Sequence, residues 1–102
     1  MTHAIRIHET GDAGKLSWDE IEVGEPGPGE VRIRQTAVGL NFIDVYMRTG
    51  LYPLAQLPAV LGMEAAGVVV SVGEGVDGFA EGDRVAYCMM PGAYAEERLI
   101  PA

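Results

Sequence analysis

Two stretches of the sequence hold the side chains that could do chemistry. The first is AVGLNFIDVYMRTGLYP, Ala37 to Pro53, which carries an amide at Asn41, an acid at Asp44 and phenols at Tyr46 and Tyr52. Tyr46 follows Asn41 by five residues, and Tyr52 lies past the Gly50 break, where the chain can fold back toward the same space. Amide and phenol groups beside Phe42, Leu51 and Leu54 make a mixed surface suited to a flat, partly aromatic ligand. The second stretch is LPAVLGMEAAGVVVSVG, Leu57 to Gly73, the most apolar run, and it holds a single acid, Glu64. A carboxylate between Met63 and Ala65-Ala66-Gly67 is expected to be desolvated. Together the two stretches read as the floor and one wall of a small-molecule cleft. Each residue also has a plainer role. Asn41 can cap a helix, Asp44 can face its dipole, the tyrosines can be core groups, and Glu64 can bind loop amides where the chain enters a strand.

Other motifs fail on context. Gly73, Gly75 and Gly78 spell G-x-G-x-x-G after a strand pattern, with Glu96 and Glu97 about twenty residues on. A dinucleotide fingerprint needs a helix to start inside the glycine run, so that its N-terminus holds the pyrophosphate. The continuation here, Phe79-Ala80-Glu81-Gly82-Asp83, has no helical period, and Asp77 would set a negative charge beside a phosphate. An ordinary strand-to-strand loop is expected instead. His3, His8 and Cys88 show no metal-ligand spacing. There is no G-x-S-x-G, and Cys88 lies in an apolar strand pattern with no basic neighbour, as an inert buried thiol would.

The elements that must position the first two stretches are short strands. Ala4–His8, Leu16–Val23, Val31–Val38, Ala65–Val72, Arg84–Met89 and Ala93–Ile100 carry strand patterns, separated by turns such as Glu9–Gly14 and GEPGPGE at 24–30. Val31–Val38 alternates most cleanly, with Val31, Ile33, Gln35 and Ala37 on one face. Ala65–Val72 reads as a strand buried on both faces, because its β-branched residues do not alternate. The one convincing helix spans about 41–48, with Asn41 as cap, Arg48 in the last turn and Gly50 as the stop. The sum is a mainly β domain, a small antiparallel barrel or sandwich with a helical insertion. With 102 residues the chain is one domain. A net charge of −8 argues against nucleic acid, and no apolar run reaches the ~18 residues that span a bilayer. One cysteine and no leader-like N-terminus suggest a cytoplasmic protein.

Four blocks carry a family resemblance: NFIDVY at 41–46, RTGLYP at 48–53, GMEAAGVV at 62–69 and GDRV at 82–85. Together they strongly resemble the N-terminal part of NADPH-dependent quinone oxidoreductases of the medium-chain dehydrogenase/reductase superfamily, along nearly the whole chain. Zinc-dependent alcohol dehydrogenases of that superfamily place a Cys where Asn41 stands and a His where Met63 stands, and they carry a four-cysteine lobe that is missing here. The resemblance therefore implies a zinc-free branch. It implies a GroES-like β-barrel over 1–102 that forms one wall of a cleft. A Rossmann domain, absent from this chain, would form the other wall and make most NADP(H) contacts.

The implied reaction is hydride transfer from NADPH to a quinone, an enone or another activated alkene. Asn41, Phe42, Ile43, Asp44 and Tyr46 would approach the nicotinamide, and Asn41, Tyr46 and Tyr52 would bond the cofactor or the substrate oxygen. Asp44 and Glu64 would hold the site's shape, and Met63 would fill the vacated metal position. This chain alone is expected to bind no cofactor, to be inactive, and to self-associate through apolar surface that would meet the missing domain. Other alkene or enoyl reductases fit the same blocks. A stand-alone GroES-like binding module or co-chaperonin is the competing reading; against it, a co-chaperonin has no need of the 41–53 block.

Overall fold

The computed structural model describes residues 2–102. Strand β1 (Thr2–Ile7) is central to a three-stranded antiparallel sheet of order β2-β1-β4, with β2 at Ser17–Ile21 and β4 at Ala59–Val60. A 3-10 turn at Ala13–Lys15 lies in the β1–β2 connection, capped by Asp12, whose carboxylate accepts from the Gly14 amide at 3.0 Å. On this sheet Asp19 gathers the Arg6 guanidinium at 2.6 Å, His8 Nε2 at 2.7 Å and the Ser17 hydroxyl at 3.1 Å. Arg6 first, and His8 after it, pull the Asp19 carboxyl down to about 2.

The second sheet has four antiparallel strands in the order β6-β5-β3-β7. They are β3 (Glu30–Val38), β5 (Glu64–Val72), β6 (Arg84–Cys88) and β7 (Glu97–Pro101). The alternation read in β3 holds where the core begins: Val31 and Ile33 are buried and pack with Val69 and Ile100, flanked by Val76, Val85, Tyr87 and Met90. Each fully buried Val or Ile of this kind contributes about 1.5–3 kcal/mol. Two register shifts, at Arg32/Ile33 and Gln35/Ala37, bend β3 against β5.

Four expectations are corrected by the fold. Strand β5 is not buried on both faces: Ala65, Gly67 and Val69 are buried and Ala66, Val68 and Val70 only half so, as in a one-sided antiparallel sheet. The expected 93–100 strand is regular only from Glu97, and it runs on to Pro101. Cys88 is exposed on β6, an edge strand, because the face it occupies has no covering layer. The sheets do not close into a barrel; they are joined by the 93–96 segment. There Ile5 N donates to Tyr94 O at 2.7 Å, Glu96 N to His3 O at 2.9 Å, and Gln35 N to Glu96 O at 2.8 Å. The backbone of 93–96 is thus shared between β1 and β3, one bridging pair being Ala4 with Ala95. The Gly73–Gly78 run is a loop between β5 and β6 with no helix in it, as its context predicts. No helix among the described residues is long and apolar enough to cross a membrane.

Candidate functional site

Helix α1 (Phe42–Thr49) falls within a residue of the expected span. Asn41 is extended at the N-cap, and its backbone N–H donates to Asp44 Oδ2 at 3.0 Å, half of a capping box. Gly50 ends the helix in the left-handed region at φ 92°, a conformation that favours glycine. Its C-terminal turn is tied to the β1–β2 connection by a reciprocal pair: Gly11 N donates to Arg48 O at 2.9 Å, and Arg48 Nη1 donates to Gly11 O at 2.7 Å.

Asp44 is 3% exposed, a carboxylate held inside the protein. Besides the Asn41 amide it accepts the Tyr94 hydroxyl at 2.5 Å, on the same oxygen. Burial, then the hydrogen bond to Asp44 and its charge, push the Tyr94 phenol well above its ordinary range, so it stays a protonated donor. Two polar atoms beside this bond have no partner among the described residues: Asp44 Oδ1 and the Asn41 amide nitrogen, both buried.

The two phenols of the site do meet. The Tyr46 and Tyr52 rings lie edge to face with centroids 5.4 Å apart, and Tyr52 N donates to Tyr46 O at 3.1 Å. The fold-back past Gly50 therefore exists. Asn41 sits at the other end of the helix, about 7 Å of axial rise away, and makes no hydrogen bond to either phenol. Around them Leu40 and Phe42 are about four-fifths exposed and Leu51 nearly two-thirds, while Ile43 is half-buried.

Glu64 departs from expectation. It is exposed at the start of β5, because the register that turns Ala65, Gly67 and Val69 inward puts its side chain on the opposite face. Its backbone oxygen accepts from Gly39 N at 3.1 Å, and its side chain lies where a Gly39 Cβ would stand. A hollow of about 410 Å3 here is lined by Ala37 to Gly39, Glu64 to Ala66 and Ala86 to Cys88, but by none of Asn41, Tyr46 and Tyr52. Met63 is buried, its carbonyl accepting from Met90 N at 3.3 Å. A larger hollow, about 710 Å3, lies elsewhere, between Arg32, Arg34 and Glu97 and the segment after β2. No group of three His, Cys, Asp or Glu side chains that could hold a metal is gathered among the described residues.

Sequence reasoning missed the supports. Gln35 donates to Ala93 O at 2.9 Å and Ala95 O at 2.7 Å, and accepts from the Tyr87 hydroxyl. Arg98 stacks over the Tyr87 ring and donates to Met90 O at 2.9 Å. The signal was present in Gln35, a polar residue in register with Val31 and Ile33, since an inward amide must find partners.

Known proteins share this architecture and much of its sequence. The chain is 50% identical, over its full length, to the 2-haloacrylate reductase of a Burkholderia species, covering 32% of that protein. It is 50% identical over 94% of its length to the quinone oxidoreductase of Pseudomonas aeruginosa, covering 30% of it. The chain thus spans about a third of the length of the curated relatives it matches. The crystal structure of Escherichia coli quinone oxidoreductase complexed with NADPH superposes with a TM-score of 0.93 at 41% identity, over 99% of this chain and 31% of that one. That of 2-haloacrylate reductase gives 0.88 at 50% identity, over 98% and 29%. The homologues are enzymes of the medium-chain dehydrogenase/reductase superfamily. With the alcohol dehydrogenase GroES-like domain matched over residues 27–102, the chain belongs to that domain family.

Proposed function

We propose that this domain forms one wall of the active site of a zinc-free, NADPH-dependent reductase of quinones or other electron-poor alkenes. The observation that supports it best is the 41–52 segment, which carries two adjoining phenols, an exposed Phe42 and the buried Asp44 carboxylate. The buried Asn41 amide nitrogen, lacking an acceptor among the described residues, fits a group with an exposed carbonyl oxygen, as a nicotinamide carboxamide has. NADPH, when bound, would supply the hydride; the protein's share is binding and orientation. In this reading Asn41 orients the cofactor, with Phe42, Ile43 and Tyr46 beside it, and Tyr46 and Tyr52 offer hydroxyls to a substrate oxygen. Asp44 and Glu64 shape the site. An amide at Asn41 and a thioether at Met63 are poor partners for Zn²⁺, which favours imidazole, thiolate and carboxylate. The acidic charge supports small-molecule partners over nucleic acid or a membrane surface, in a cytoplasmic setting.

Incubated with NADPH and a simple quinone, these 102 residues are expected to show no turnover by NADPH absorbance, and to bind no cofactor. Turnover at a rate ordinary for enzymes would show that one wall suffices. The function itself is tested by joining residue 102 to the remaining two-thirds of the P. aeruginosa relative. That chimera is expected to reduce quinone, and a folded, NADPH-binding chimera without activity sinks the proposal. We also propose self-association through exposed apolar side chains such as Leu40, Phe42 and Met89. Sedimentation should show mass rising with concentration; a monomer throughout, with no binding of an apolar dye, counts against it.

A further inference from the structure

We infer that Tyr94 is a positioning residue for this site: its hydroxyl, acting through the Asp44 carboxylate, fixes the N-terminal turn of α1 and with it Asn41 and Tyr46. The inference rests on the reading of α1 as a wall of the site. An isolated helix of eight residues is well short of the roughly 12–15 at which helices become even marginal in water, so α1 depends on what holds it from outside. Apart from its own caps and the Tyr52 amide in the loop that follows, its hydrogen bonds to the other described residues fall at two points. One is Arg48 with Gly11 at the C-terminal end, and the other is Asp44 with Tyr94 at the N-terminal end.

The Tyr94 end is the stiffer support. Its own backbone is held on both sides, N–H to Leu61 O at 2.8 Å and carbonyl to Ile5 N at 2.7 Å. The carbonyls of its neighbours Ala93 and Ala95 both hold the Gln35 amide. The 93–96 segment that joins the sheets therefore also carries the peg on which the helix hangs. A phenylalanine at 94 would keep the ring and its packing and remove one oxygen. Asp44 would then retain a single donor, the Asn41 amide, and the first turn would be free to open.

The test is amide hydrogen exchange by NMR on the 102-residue chain. In Tyr94→Phe, the amides of Tyr46, Met47 and Arg48 are expected to exchange at least tenfold faster, while Ile33 and Val69 in the sheet stay within about threefold. The Asn41 side-chain amide resonances should shift at the same time. Val69→Ala, a core deletion away from the helix, should give the reverse pattern, with fast sheet amides and an unchanged helix. In an Asp44→Ala background, Tyr94→Phe should add less than twofold at the helix, since its partner is gone. Equal acceleration of sheet and helix, or a full tenfold effect persisting without Asp44, overturns the inference. The chimera's activity is read separately, so failure of the reductase reading and failure of this one are told apart.

Discussion

Gly73→Ala is expected to destabilise the protein by about 3 kcal/mol, read as a lowered urea midpoint at unchanged slope. A Cβ on Gly73 would overlap the Gly27 carbonyl oxygen and lie 2.9 Å from Glu30 O, both backbone atoms that cannot swing aside. The Gly73 amide already donates to Glu30 O at 2.7 Å, so the end of β5 is clamped against the Pro/Gly turn that opens β3. Gly75, two residues on, makes the contrast. It has φ +78° with open space around it, so alanine there should cost only about 1 kcal/mol of backbone strain. A milder effect at Gly73 than at Gly75 would contradict the close approach as the reason for that glycine. The same pair separates this loop from a phosphate cradle, where the middle glycine is needed for ligand approach.

Asp44→Ala is expected to cost about 3 kcal/mol, because two part-buried donors, Asn41 N–H and the Tyr94 hydroxyl, lose a buried charged acceptor. Asp44→Asn keeps an acceptor and should cost about 1 kcal/mol. Losing the expense of a buried charge offsets part of the first figure, and the comparison with asparagine isolates that part. Chemical denaturation of both variants checks it. A loss of under about 0.5 kcal/mol for alanine, the level of an ordinary surface substitution, would mean that the carboxylate does not anchor the helix.

The residues that could be read in advance were those whose neighbours in sequence decide their state. Val31 and Ile33 alternate with charged residues, and the alternation alone put them in the core. Asn41, Asp44 and Gly50 mark helix ends by local capping chemistry, which needs no tertiary information. Strand β4 was invisible because two residues carry no period, and it exists only because β1 offers them an edge. Residues 93–96 look like the start of a strand, and their backbone does pair on both sides. They pair with two different sheets, however, which no local pattern encodes. The burial of Glu64 was misjudged for a related reason. An apolar run says that one face is covered, but the period of two must be anchored by a partner strand to say which. Tyr94, fifty residues from Asp44, was legible only as a phenol among small residues, in need of an unnamed acceptor.

The segment that stitches the two sheets together also sets an order of events during synthesis. The β1–β2 hairpin can form as soon as Ile21 has left the ribosome. The backbone groups of His3 and Ile5 that face the other way must wait for Tyr94 and Glu96, some ninety residues later. At the usual elongation rate of roughly 5–20 residues per second, that leaves a nascent edge unpaired for several seconds. Ala4 and Ile7, fully buried once folding is done, wait through that interval for the segment that completes their sheet edge.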